Sequence, residues 1–188
     1  FQVDFRDKTV LDVGSSTGGF TDYALQHGAK KVIAVDVGTD QLHHSLLGDN
    51  RIELHEKTDI RDFKTNQKID IVVADVSFIS LRYILPPVLH MVTKKSLLIM
   101  MCKPQFEAGR DQVNKGIIKN SKIRRQILHD FEHWLTQNGF TQGHGGVAAQ
   151  HGREWQATAL HAIECSFKFE QGHTLHIGTW GFAWQHHL

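Results

Sequence analysis

Four short apolar runs limit what this chain can become more than any other feature. Thr9–Val13, Lys31–Val35, Ile69–Ala74 and Ser96–Cys102 are rich in Val, Ile and Leu, with few polar interruptions. A strand with one wet face alternates apolar and polar residues, whereas a nearly continuous apolar run is buried on both faces, as inside a parallel sheet. Ile52–His55 reads as a further strand. Between the runs lie helical candidates: Gly19–His27, Asp40–Leu47, and Ile79–Val92, where Pro86-Pro87 is expected to kink or split the helix. Ser121–Asn138 is the clearest helix. Ile123, Ile127, Leu128, Phe131, Trp134 and Leu135 recur there at three- and four-residue steps, and Gly139 stands where a C-terminal cap belongs. The alternation predicts an α/β fold, a doubly wound and mostly parallel sheet with right-handed crossovers. Ligands of such sheets bind at the carboxyl ends of the strands.

Bulk properties then remove whole classes of function. The 188 residues suit one domain with a sizeable core. Lys plus Arg (21) nearly balance Asp plus Glu (20), so no global charge points to nucleic acid or a membrane surface. No apolar run approaches the roughly 20 residues that span a bilayer, and FQVDFRDKTV does not read as an export signal. Two cysteines, Cys102 and Cys165, are too few for a disulfide framework. The expectation is a soluble, cytoplasmic protein with no membrane partner. The sequence leaves its oligomeric state open, and its abrupt start reads as that of a fragment.

The residues at the strand ends are therefore the ones that matter: Asp12–Phe20, Asp36, Asp59, Asp75 and Lys103. An acid after a strand is often only a turn former or helix cap. The turn Gly14-Ser15-Ser16-Thr17-Gly18-Gly19 is more specific. A dinucleotide fingerprint needs G-x-G-x-x-G, whose second glycine admits the pyrophosphate. Ser16 fills that position, and Asp12 offers a phosphate the wrong charge. A D-x-G-x-S-x-G turn suits a ligand with positive charge and little phosphate, and S-adenosylmethionine fits. Asp12, Gly14, Ser16, Thr17, Gly18, Gly19 and Phe20 would form one wall. Asp36, followed by Val37, is placed to accept both ribose hydroxyls, and Asp59, followed by Ile60, to bond the adenine amino group.

VLDVGSSTGGFTDYALQHGAKKVIAVDVGTDQL, TDIR, DIVVADVSFISL and CKPQFEAGRDQVNKGII together resemble the TlyA family, FtsJ-like ribosomal RNA 2'-O-methyltransferases historically labelled hemolysins. The likeness covers roughly residues 8 to 138. It implies a Rossmann-like methyltransferase fold with a seven-stranded sheet over residues 1–164, S-adenosylmethionine as cofactor, and ribosomal RNA or a ribosomal subunit as partner. It also implies an RNA-binding module ahead of this domain, and it leaves residues 165–188 as an extension of unclear structure. The family's Lys-Asp-Lys-Glu tetrad carries over with its second member on Asp75, its third on Lys103, and its fourth on Glu154, in a surrounding HGREW that departs from the family pattern. The first lysine belongs upstream of this sequence, since Lys8 lies too close to the first strand.

The chemistry asks for such residues. A ribose hydroxyl is a poor nucleophile at neutral pH, and an amine serves as its base only when burial or a neighbouring cation makes it less basic. Lys103 emerges from the apolar SLLIMMC, and Asp75 is expected to orient it and to face the ligand's cationic end. Positioning of two substrates would contribute more than proton transfer. The rival within enzymes is a base N-methyltransferase, whose fourth strand ends in D/N-P-P-Y/F; here Asp75-Val76-Ser77-Phe78 keeps an aromatic but neither proline. Cys102 points away from Lys103 in an alternating strand and is expected in the core, which leaves a cysteine-nucleophile mechanism without its nucleophile.

Residues 103 to 125 carry seven basic side chains against two acids, Glu107 and Asp111. Arg110, Lys115, Lys119, Lys122, Arg124 and Arg125 are the candidate RNA contacts, in a loop with Gly109 and Gly116 that suits a mobile lid. Seven of the 14 histidines follow Phe140. His173, His176, His186 and His187 lack a cysteine or acid at familiar ligand spacing, so no metal is expected. Two other classes stay open: a fragment that binds S-adenosylmethionine or RNA without activity, and a membrane-active hemolysin.

Overall fold

The computed structural model describes residues 3–108, 118, 120–142, 163–169 and 174–179. Within them run β1 (Thr9–Val13), α1 (Gly19–Gln26), β2 (Lys31–Val35), β3 (Ile52–His55), β4 (Ile69–Ala74), α2 (Leu81–Leu89), β5 (Val92–Cys102), α3 (Pro104–Glu107), α4 (Ser121–Gln137), β6 (Phe140–Gln142), β7 (Ile163–Phe169) and β8 (Thr174–Thr179). The strands form one sheet in the order β3-β2-β1-β4-β5-β8-β7-β6. β1 lies parallel to β2 and β4, with Leu11 opposite both Ile33 and Val72, and β2–β3 and β4–β5 are parallel too. β8 adds in parallel beside β5, whereas β7 is antiparallel to both β8 and β6.

Alternate residues of the central strands supply two cores, which is why their sequence runs show almost no polar break. Leu11, Val13, Ile33, Val35, Val72, Ala74, Leu98, Met100 and Cys102 pack with Leu81, Ile84, Leu85 and Val88 of α2 and Phe131 and Leu135 of α4. Val10, Val32, Ile71 and Val73 pack with Ala24 and Leu25 of α1. Helices thus cover both faces, and the sheet is doubly wound. These four strands run parallel, so the loops after β1, β2, β4 and β5 gather on the carboxyl side of the sheet.

The structure departs from expectation in four places. The described sheet has eight strands, not seven, because β7 and β8 form an antiparallel pair between β5 and β6. No α-helix fills Asp40–Leu47; a single 3₁₀ turn at His44–Leu46 stands there. Its backbone bonds elsewhere, His43 N–H donating to Thr17 O at 3.0 Å, so the segment braces the glycine-rich turn instead of closing a helical ladder. Pro86 and Pro87 lie inside α2 without dividing it. The apolar face of Leu81, Ile84, Leu85 and Val88 holds that helix through its missing donors. β5 begins at Val92 rather than Ser96, with a register shift where Ile69 pairs with Val92 but Ile71 with Leu97. The buried Ser96 fills this bulge, its hydroxyl donating to Ile69 O at 2.6 Å and accepting from Thr93 N–H at 2.9 Å.

Candidate active site

β1 delivers the chain into the glycine-rich turn at the centre of the sheet. Gly14 N–H donates to Val35 O at 2.9 Å, and Gly18 N–H closes back on Ser15 O at 2.7 Å. Gly14 has φ +78°, and a Cβ there would stand 2.9 Å from the carbonyl oxygen of Asp75. The turn and the β4 exit therefore touch through backbone, and only glycine fits between them. Gly18, at φ +91°, precedes α1; a Cβ on it would lie within 2.6 Å of side-chain atoms of Leu42 and Leu46. Ser16 stands at φ +47° and is exposed, as are Thr17, Gly19 and Phe20. Ser16 N–H donates to Asp36 Oδ2 at 2.8 Å, and Gly38 N–H to Asp36 Oδ1 at 2.7 Å. Asp36 thereby ties the end of β2 to the turn, and each of its oxygens keeps a lone pair for a further donor. Val37, beside it, is exposed.

Two of the expected acids sit differently from the sequence reading. Asp12 lies within β1 and is fully buried, beneath the turn rather than on its open wall. Its Oδ2 accepts from the Thr21 hydroxyl at 2.6 Å, while Oδ1 and the buried Ser15 hydroxyl have no partner among the described residues. Burial pushes the Asp12 carboxyl up to about 6, the Thr21 bond opposing and the charges of Asp75 and Asp36 adding to the rise. Asp59 does not close β3, which ends at His55, but follows in the next loop. Arg61 holds it there, its Nε at 2.9 Å from Oδ1 and its Nη2 at 2.6 Å from Oδ2, and this pairing lowers the carboxyl from its ordinary value. Ile60 is core rather than surface.

Asp75 and Lys103 end adjacent parallel strands, so the fold brings them together. Lys103 Nζ lies 2.7 Å from Asp75 Oδ1, an ion contact without hydrogen-bond alignment at that oxygen, and donates to Ser77 Oγ at 2.9 Å. The amine's charged partner is thus the Asp75 carboxylate, the residue expected to orient it. Phe78 follows, 92% exposed and at φ +65°, a backbone region costly for a bulky residue. Its ring lies 5.3 Å from that of Phe106. One turn beyond Lys103, the buried Glu107 carboxylate accepts from Leu81 N–H at 2.7 Å and Ser80 Oγ at 2.5 Å. Ser77, Phe78 and Glu107 were absent from the sequence-derived site. Ser77 and Phe78 lie two and three residues after the strand-end Asp75, a signal that would have found them, whereas Glu107 reaches a partner 26 residues away, which no local pattern shows.

Of the candidate RNA contacts, Lys122, Arg124 and Arg125 lie in the first turn of α4, which Asn120 caps through Lys122 N–H at 2.9 Å. Arg124 donates to Ile118 O at 3.4 Å, and Lys122 and Arg125 are exposed. Arg110, Lys115, Lys119 and Glu154, with Gly109, Gly116, His173, His186 and His187, lie outside the described residues. Cys102 is buried in the core, as expected. Among the described residues no three ligating side chains gather to hold a metal, and no helix is long and apolar enough to cross a membrane.

A sheet of this order, with a glycine-rich turn after β1, an acid after β2 and an Asp–Lys pair across β4 and β5, can be compared with known proteins. The chain is 40% identical over 144 residues to the 23S rRNA (cytidine-2'-O)-methyltransferase TlyA of Campylobacter jejuni, covering 72% of this chain and 56% of the relative. It is likewise 40% identical over 147 residues to Hemolysin A of Brachyspira hyodysenteriae, covering 76% and 61%. A crystal structure of a protein described as a hemolysin, from Lactococcus lactis, superposes with a TM-score of 0.69 at 42% identity, covering 74% of this chain and 69% of that one. The chain spans about half the length of the curated relatives it matches. Residues 1–145, from the turn through the Lys103 strand to α4, match the FtsJ-like methyltransferases, and the chain belongs to that family, in the group that holds TlyA and Hemolysin A.

Proposed function

We propose that this chain carries the catalytic domain of a ribosomal RNA 2'-O-methyltransferase, with S-adenosylmethionine as methyl donor; its working unit, expected to end at residue 164, takes in β7 and β8 as well, because they extend the sheet beside β5. The observation that carries the reading is the Lys103–Asp75 pair at the carboxyl edge of the sheet, one backbone contact away from the glycine-rich turn. The residues present suit the donor. Asp12 Oδ1 is a buried acceptor and Ser15 Oγ a buried hydroxyl, both without a partner among the described residues and so able to bond a cationic ligand or its bound water, and Asp36 offers lone pairs at the β2 exit. Gly14 and Gly18 let the turn close on the Asp75 backbone and on Leu42 and Leu46, where a Cβ would clash. When bound, S-adenosylmethionine supplies an electrophilic methyl group on a sulfonium.

The protein's own contribution is position and charge. Lys103 Nζ is held from two sides, by Asp75 and Ser77, which leaves it a further N–H to direct at an incoming hydroxyl oxygen. Holding that oxygen in line reduces the entropic barrier, and as the oxygen takes the methyl group its proton passes to Asp75 Oδ1, a carboxylate oxygen without another hydrogen bond among the described residues. Phe78 presents an exposed ring beside this point, a platform on which the base of the same nucleotide stacks. Lys122 and Arg125 add positive charge at the head of α4 for the phosphates. A protein acting on ribosomal RNA would work beside ribosomes, in the cytoplasm. Glu154 as fourth tetrad member, and Arg110, Lys115 and Lys119 as RNA contacts, belong to the same proposal.

Transfer of a labelled methyl group from S-adenosylmethionine to ribosomal RNA tests it. The protein should label the RNA, and Lys103→Ala should abolish labelling while leaving the donor bound. Donor binding with no transfer by the full-length protein would favour a binding module. Lysis of erythrocytes without the donor would favour a hemolysin.

A further inference from the structure

We infer that Glu107 is a positioning residue for methyl transfer, the bracket that holds the Asp75–Ser80 loop against Lys103; the inference rests on the function proposed above. The loop from β4 to α2 carries Asp75, Ser77 and Phe78. At its first end Asp75 N–H is fixed by Val13 O at 3.1 Å. At its far end the fixture is Glu107, whose Oε1 takes Leu81 N–H at 2.7 Å and whose Oε2 takes the Ser80 hydroxyl at 2.5 Å. The rest of the loop is weakly restrained by its own chain, since Ser77 and Phe78 are exposed and Phe78 has a positive φ. Glu107 and Lys103 share the single turn of α3, where Phe106 N–H donates to Lys103 O at 2.8 Å. A carboxylate four residues beyond the lysine thus sets the distance between the lysine and the loop it must meet.

Helix capping accounts for only part of this carboxylate's bonding, since it meets Leu81 N–H, an end donor that the Ser80 cap leaves open, and also the Ser80 hydroxyl itself. α2 already has a cap, because Ser80 Oγ accepts from Arg82 N–H at 3.1 Å. The Glu107 side chain is only 1% exposed, and burying a carboxylate is unfavourable unless donors surround it. Burial raises its pKa, while Ser80, Leu81 and Arg82 act the other way. The Arg82 guanidinium stands 3.7 Å away through Nε and lies over the rings of Phe131 and Trp134, so the bracket is anchored in α4 as well. A buried acid of α3 that takes the start of α2 directly and reaches α4 through Arg82, beside the Lys103–Asp75 pair, suits a part whose task is to keep geometry.

The test compares Glu107→Ala, Glu107→Gln and Ser80→Ala with the parent protein, the full chain acting on ribosomal RNA. Glu107→Ala should lower kcat at least tenfold with the affinity for S-adenosylmethionine within twofold, because no bond of Glu107 reaches the glycine-rich turn or Asp36. Glu107→Gln keeps an acceptor for Leu81 N–H and a donor toward Ser80, and should return kcat to within about threefold of the parent. Amide hydrogen exchange should quicken across residues 75–83 in Glu107→Ala. Unchanged kcat in all three variants would overturn the inference, as would a kcat that falls only in proportion to the fraction of molecules able to bind the donor. Should Glu107→Ala not fold, Ser80→Ala decides: it should lose kcat several-fold, and full activity there refutes the bracket. If the parent protein itself transfers no methyl to ribose, the proposed function fails, which is a distinct result.

Discussion

Replacing Asp12 by Asn should stabilise this protein at alkaline pH and weaken its hold on the methyl donor. Asp12 is fully buried, with one oxygen on Thr21 and the other unpartnered. Its carboxyl titrates near 6 in the folded chain against 3.8 ordinarily. At about 1.4 kcal/mol per pH unit, the gap corresponds to about 3 kcal/mol of stability. The sign follows from which state loses its proton first. Below pH 3.8 both folded and unfolded chains hold the proton, and nothing is lost. Between that value and about 6 the unfolded chain ionises first, so stability falls as pH rises, and above 6 the loss is complete. Asn keeps an acceptor for the Thr21 hydroxyl and never ionises. In urea denaturation at pH 8, Asp12→Asn should therefore exceed the parent by up to about 3 kcal/mol, and the difference should shrink toward zero near pH 4. The same variant should bind S-adenosylmethionine more weakly, since an amide attracts a cation less than a carboxylate. A difference that does not change with pH, or a variant less stable than the parent at pH 8, would refute the electrostatic account of Asp12.

Gly14→Ala should cost about 2 kcal/mol or more of stability, because alanine is strained at φ +78° and its Cβ would press on the Asp75 carbonyl. Its kcat should fall further than that of an alanine placed at exposed Gly19, where nothing lies within 4 Å; equal effects would show that the turn and Asp75 are not coupled. Asp36→Ala should raise the dissociation constant for S-adenosylmethionine at least tenfold by isothermal titration, through loss of the acceptor that also braces Ser16 and Gly38. Unchanged affinity would remove Asp36 from the donor site.

The parts legible in the sequence are those whose physics is local. β1 to β4 lie where their runs predicted, since burial on both faces leaves a continuous apolar signature, and the α4 face of Ile127, Phe131 and Leu135 follows the helical period. Asp75 and Lys103 were found as strand ends, and their contact follows once β4 and β5 are known to be parallel neighbours. What escaped was non-local. Residues 40–47 have helical spacing at Leu42 and Leu46, but those side chains pack against Gly18 and the backbone bonds the turn. Asp12 was counted with the loop acids although the predicted Thr9–Val13 strand contains it, and its side chain is buried against the Thr21 hydroxyl of α1. Asp59 was assigned to a strand end that lies at His55, and Arg61, two residues on, takes its carboxylate. The bond from Glu107 to Leu81 joins elements far apart in sequence and has no periodic or spacing signal at all.

The identity of the methylated atom separates ribose chemistry from base chemistry. Ribosomal RNA treated with the protein and S-adenosylmethionine, digested to nucleosides and mapped by mass spectrometry, should show one ribose carrying a 2'-O-methyl group, absent when Lys103→Ala replaces the parent. A methyl group on a base, with the ribose unmodified, would contradict the roles given to Lys103 and Asp75 and turn the site into that of a base methyltransferase.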